Sequence, residues 1–106
     1  MTWKSAFLFK DKLPIVSCCY CIYFDNKLVY IGSTNNLRNR FSGHAFRYGY
    51  AKNIYTPYGI FPDSTEIKIK YKPIKKYGYW LMLEAQLIRK LQPIFNTKLK
   101  KATHHG

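Results

Sequence analysis

Hydrophobic and polar positions alternate with two different periods along this chain. Ser17 to Phe24 is rich in strand formers, and Leu28 to Ile31 continues the pattern after Asp25-Asn26-Lys27, which has turn chemistry. This predicts an antiparallel hairpin that ends at Gly32. Ser33, Thr34 or Asn35 can cap a following helix, because Leu37, Phe41, Ala45 and Tyr48 recur at helical spacing up to Gly49. Residues 50–64 carry Pro57, Gly59 and Pro62 among aromatics and read as a loop with short helical turns, the longest irregular stretch of the chain and of a kind that is often functional. Glu66 to Lys72 alternates. Ile67, Ile69 and Tyr71 take one face and Lys68, Lys70 and Lys72 the other, as in a half-buried strand at or near a sheet edge. About Tyr77 to Leu91 is the clearest helix, stopped by Pro93. The order is strand, strand, helix, strand, helix, which predicts a small α/β sandwich with helices on the sheet. No repeat or linker divides residues 1–106, so the chain reads as one domain with a basic-aromatic extension over 1–12 and a basic tail.

Charge narrows the field. The 106 residues hold 18 Lys+Arg against 5 Asp+Glu, a net +13, with ten tyrosines interleaved. So one-sided a balance needs a polyanion to offset it, and nucleic acid is the first candidate, ahead of an anionic membrane surface. No run approaches the ~18 apolar residues of a membrane span, and the first residues lack a cleavage-site pattern. A soluble, intracellular protein is expected. Cys18, Cys19 and Cys21 crowd one strand, a poor disulfide framework and too few ligands for zinc, so buried reduced thiols are expected.

Candidate chemistry comes from a few side chains. Tyr23 and Tyr30 flank the predicted turn and can share a face of the hairpin; Arg40 and His44, four apart, share a helix face just beyond it. Each alone has an ordinary structural explanation. Glu84 is sharper, since Leu81, Ile88 and Leu91 lie at helical spacing from it. A carboxylate on such a face needs a cation, either a Lys or Arg partner or a metal. One carboxylate suffices for Mg²⁺ or Mn²⁺ when phosphate and water complete the shell. Two phenols, a guanidinium, an imidazole and one acid are the parts of a one-metal phosphodiester-cleaving site.

The run from Cys21-Ile22-Tyr23 through Tyr30-Ile31-Gly32 to Arg40 and His44 resembles the GIY-YIG nuclease domain. So does Leu83-Glu84-Ala85-Gln86-Leu87-Ile88 followed by Pro93-Ile94-Phe95-Asn96. The resemblance covers roughly residues 17–98. It implies a three-stranded antiparallel sheet flanked by helices and a divalent-metal-dependent cut of DNA leaving 5′-phosphate and 3′-hydroxyl ends. By position it implies Tyr23 and Tyr30 as motif tyrosines, Arg40 on the phosphate, His44 in the relay, Glu84 as ligand of one Mg²⁺ or Mn²⁺, and Asn96 in support. Cys21 replaces the first glycine, and the Tyr23–Tyr30 hairpin is short. Either Tyr23 or His44 is the expected base. DNA, duplex or branched, would be gripped through Ser33, Thr34, Arg38, Arg47, Lys68, Lys70, Lys72, Lys75, Lys76 and Lys98. The expected protein is a monomer or weak dimer with a homing, mobile-element, phage or repair role. The competing expectation is a catalytically silent nucleic-acid-binding module of the same fold.

Overall fold

The computed structural model describes residues 2–42, 45–75 and 78–96. Its main sheet is antiparallel and has four strands, in the order β1 (Lys4–Phe7), β7 (Ile67–Pro73), β2 (Cys18–Phe24), β3 (Lys27–Thr34). The expected three strands are therefore joined by a fourth. The N-terminal extension supplies it, pairing Ala6 with Ile69 and burying Ala6 and Leu8. β7 consequently lies inside the sheet, and its predicted alternation holds, with Ile67, Ile69 and Tyr71 buried.

The β2–β3 hairpin turns at Asp25 and Asn26, both with left-handed φ, as a tight hairpin turn requires. Tyr23 then pairs with Leu28, but Ile22 pairs with Tyr30, so Val29 is an extra residue in a β-bulge. The sheet has two covered faces. Cys18, Tyr20, Ile22 and Phe24 face the larger core; Cys19, Cys21 and Ile31 face the smaller one, where Leu83, Leu87 and Ile88 of α2 (Tyr79–Leu91) pack. α2 ends at Gln92, in left-handed conformation, just before Pro93.

The first helix is much shorter than the pattern predicts. α1 spans Leu37–Arg40, with Asn36 Oδ1 accepting from the Asn39 N–H at 3.0 Å, and Leu37 and Phe41 are buried beneath it. Tyr48, assigned to that helix by its spacing, instead belongs to a separate antiparallel ribbon: β4 (Arg47–Tyr48), β5 (Asn53–Thr56) and β6 (Gly59–Pro62). The expected 50–64 loop is largely this ribbon. Pro57 and Gly59 mark its turn, where Thr56 Oγ1 accepts from the Tyr58 N–H at 3.0 Å and Gly59 takes a φ of +138°. Among the described residues no helix is long and apolar enough to cross a membrane.

Candidate active site

The bulge at Val29 decides which tyrosines meet. A residue pair facing each other across strands shares a face, so Tyr30 lies on the face of Ile22 and Tyr20, whereas Tyr23 lies on the opposite face with Leu28. Tyr20 and Tyr30 have ring centroids 6.3 Å apart. Tyr23, expected beside Tyr30, instead sits under Lys68 and Lys70, whose Nζ atoms lie 5.5 and 5.2 Å from its ring centroid. Tyr20 was not among the expected site residues. Strand parity carries a signal for it: Tyr20 and Tyr23 are three apart, so they cannot share a face of one regular strand.

Arg40, at the end of α1, points its Nε–H to Tyr20 Oη at 3.0 Å. The Tyr20 ring is buried and meets Phe41 edge-on at 5.2 Å. Gly32 pairs with Tyr20 across the hairpin, and a Cβ there would lie 2.6 Å from Tyr20 Oη and 2.8 Å from Tyr30 Cε2. The glycine is what lets both phenols crowd this point of the sheet.

A third phenol arrives from the ribbon. Tyr58 stacks on Phe95 at 4.7 Å and 11° and leans on Tyr30 at 5.1 Å. Its hydroxyl is buried and has no hydrogen-bond partner among the described residues. Arg40 is close enough to lower the Tyr58 pKa, but the two do not reach hydrogen-bond geometry. Burial is the largest influence on all three phenols and pushes each above the ordinary range, with Arg40 pulling the other way. For Arg40, burial works against the charge, and the Tyr20, Tyr58 and Tyr30 oxygens more than offset it. The guanidinium is thus held cationic among neutral phenols.

Glu84 stands on α2, whose apolar side covers the other face of the sheet. It accepts a hydrogen bond from Ser33 Oγ to Oε2 at 3.0 Å. Ser33 follows Gly32 on the edge strand β3, and the Glu84 charge raises the pKa of both Tyr20 and Tyr30. Carboxylate and phenols therefore meet electrostatically across one edge of the sheet. Burial raises the Glu84 pKa, and only the Ser33 bond opposes it; among the described residues no lysine or arginine balances the charge. Leu81 and Leu91, expected beside it in the interior, are exposed.

Asn96 fixes the strand that joins these groups. It is buried, accepts from the Ile31 N–H at 2.7 Å and donates to the Ile31 carbonyl at 2.8 Å. Its amide takes the place a further strand would occupy beside β3.

The other expected residues are scattered. Thr34 Oγ1 is committed to the turn into α1, accepting from the Asn36 N–H at 3.1 Å, and Arg38 Nε donates to the Leu13 carbonyl at 2.7 Å. Arg47 and Lys75 are exposed, and Lys68, Lys70 and Lys72 are half-buried on β7. His44, Lys76 and Lys98 lie outside the described residues. Cys18, Cys19 and Cys21 are free and buried, with pKa values pushed up to about 12, 12 and 11 by desolvation, so they are neutral thiols. Among the described residues no three His, Cys, Asp or Glu side chains cluster for a metal.

Comparison with known proteins gives one family. Residues 16–100 match the model of the GIY-YIG catalytic domain. The chain is 36% identical over 92 residues to the UvrABC system protein C of Borrelia duttonii (strain Ly) and, equally, to that of Borrelia recurrentis (strain A1). Each match covers 85% of this chain and 14% of the relative, so the chain corresponds to a small part of those proteins. No solved structure gives a significant match.

Proposed function

Because the chain belongs to the GIY-YIG family of nuclease domains, we propose that it is an endonuclease that hydrolyses a DNA phosphodiester with Arg40, Tyr20, Tyr30 and Glu84 as its working side chains. The observation that supports this most is the Arg40–Tyr20 hydrogen bond at 3.0 Å beside Tyr30 and Gly32, at the sheet edge where Glu84 reaches Ser33. Arg40 is the one described cation among these groups. It binds the scissile phosphate, and its planar fork offsets charge that develops on the phosphate oxygens. Tyr20 orients the guanidinium through its Nε, leaving the terminal nitrogens for substrate.

Tyr30 is less buried than Tyr20 and aligns the attacking water. This takes over the role expected of Tyr23, which lies across the sheet. His44 keeps its expected place in the proton relay. Glu84 would hold one Mg²⁺ or Mn²⁺ through its carboxylate, with phosphate and water oxygens completing the shell. Such an ion would supply charge stabilisation at the phosphate and at the departing 3′-oxygen. A half-buried carboxylate with no described cationic partner fits that task. Asn96 acts on the backbone between Tyr30 and Gly32 and holds both in register.

The test is cleavage of supercoiled plasmid with Mg²⁺ or Mn²⁺, followed by end mapping. The expected result is nicking that stops with EDTA, leaves 5′-phosphate and 3′-hydroxyl ends, and is lost in Arg40→Ala and Glu84→Gln. Nicking that survives EDTA, or that either variant retains, would overturn the assignment.

A further inference from the structure

The ribbon over residues 47–62 does more than deliver Tyr58. Its register sorts the side chains into two sets. Ile54 pairs with Phe61 and faces the core, where Ile54 is buried and Phe61 meets Phe24 at 4.7 Å. Tyr55 pairs with both Arg47 and Ile60, so these three share the outward face. The Arg47 guanidinium lies 5.4 Å from the Tyr55 ring centroid, and any side chain at Gly49 would overlap that ring. Ile60 is 60% exposed and Tyr50, on the turn between β4 and β5, is 90% exposed, whereas Tyr48 pairs with Ile54 on the other face and meets Phe9 at 4.5 Å.

A ring 90% exposed offers a free stacking face. The segment from Ala45 to Pro62 contains Arg47 and Lys52 and no acid, with Asp63 next in sequence, so it favours an anion with aromatic faces. We infer that this ribbon binds unpaired nucleotides of the DNA, stacking a base on Tyr50 while Arg47 and Lys52 meet the phosphates. Bases in a duplex keep their faces stacked on each other, so exposed rings gain little from double-stranded DNA. An unpaired strand offers every base face, with little regard to sequence. The position fits as well. Tyr58 sits in the β5–β6 turn at the other end of the same ribbon, and Ile54 to Thr56, the last residue of β5, is about 7 Å at ~3.3 Å per strand residue. A strand lying on the ribbon would thus be only a few nucleotides from Arg40 and Tyr30. The inference deepens the nuclease reading and rests on it for DNA as the substrate: it names DNA with an unpaired segment as the preferred form.

The experiment measures binding of the full chain in EDTA, so that cleavage plays no part. Fluorescence anisotropy compares a labelled oligothymidylate, a blunt duplex, and a duplex with an unpaired flap. Tyr50→Ala, at a site too exposed to threaten the fold, should weaken the oligothymidylate and flap by about 5- to 100-fold, the range for one stacked base. The blunt duplex should change by less than about twofold. Tyr50→Trp should restore affinity and Tyr50→Leu should not. Equal weakening of all three DNAs, no weakening, or full rescue by leucine would each overturn the inference. A wild-type plasmid assay run alongside separates the two readings. Absent cleavage would sink the nuclease assignment and leave the binding contrast to judge the ribbon.

Discussion

Replacing Asn96 with alanine should destabilise the fold as strongly as truncating a buried core side chain. The Asn96 amide supplies two hydrogen bonds to one residue 65 positions away, at 2.7 and 2.8 Å, and both are buried. Alanine removes both and strands the Ile31 N–H and carbonyl. An orphaned buried polar group costs ~1–3 kcal/mol. β3 is an edge strand, so water can partly reach the freed groups, and the lower half of the range applies: about 2–4 kcal/mol for the pair. A domain of this size has about 5–15 kcal/mol in all, and each kcal/mol shifts Tm by ~4–8 °C. The expected fall is therefore on the order of 10–25 °C. Thermal unfolding followed by circular dichroism at neutral pH measures it, and urea unfolding gives the free-energy difference. Asn96→Asp refines the test. It keeps an acceptor for the Ile31 N–H but sets a carboxylate oxygen against the Ile31 carbonyl, so it should be no better than alanine at neutral pH and should recover in acid, where the carboxyl becomes a donor. An Asn96→Ala variant within about 0.5 kcal/mol of wild type would refute the reasoning.

Three further outcomes follow from the same geometry. Tyr23→Phe should cleave at near wild-type rate, whereas Tyr20→Phe and Tyr30→Phe should each lose about 10²-fold or more, the scale of one positioned catalytic group; equal losses in all three would contradict the division of the sheet faces. Tyr58→Phe should melt no lower than wild type, because it deletes a buried hydroxyl without a described partner and keeps the ring stacked on Phe95; a Tm lowered by several degrees would mean that a group outside the described residues pairs with the hydroxyl. Glu84→Gln should stabilise the protein at neutral pH. A carboxyl whose folded pKa is raised above 4.5 favours folding only while protonated, so its ionisation destabilises the fold as pH climbs through the raised value, and the benefit of glutamine should vanish below about pH 4.5; thermal melts across pH check the sign, and a destabilised Glu84→Gln at pH 7 would mean that a cation outside the described residues pairs with Glu84.

Much of the sheet was legible because its signals were local. The alternation in β7, the Asp25-Asn26 turn and the stop at Pro93 each depend on a few neighbouring residues. The Val29 bulge was not legible. In a regular hairpin around Asp25-Asn26, Tyr30 would pair with Cys21 and share a face with Tyr23, as the sequence led one to expect. One inserted residue turns Tyr30 to the Tyr20 side, and valine carries no mark of it. The motif-like tripeptide Cys21-Ile22-Tyr23 reinforced the regular register. The helix after β3 misled for another reason. Leu37 and Phe41 have helical spacing, but Tyr48 is set by pairing with Ile54, a contact that no local period announces. The fourth strand was hidden because β1 is short, and only its register with β7 explains the burial of Ala6.

The placement of the site on an edge strand has a physical consequence. An inner strand has neighbours on both sides, and a carboxylate on one face of the sheet would be screened from a guanidinium on the other by a layer of paired backbone. Among the described residues β3 is paired only on the β2 side, with Gly32 presenting no side chain toward the phenols and Ser33 turned to Glu84. Burial is the main influence on the Tyr20 and Tyr30 pKa values, and the Glu84 charge adds to it from across the sheet. An open edge also invites another strand to pair with it. Asn96 blocks that at Ile31 with a side chain, which takes both ladder groups of that residue. One amide thereby satisfies an N–H and a carbonyl that would otherwise need a further strand, and it does so next to Gly32 and Ser33, the residues that touch the phenols and Glu84.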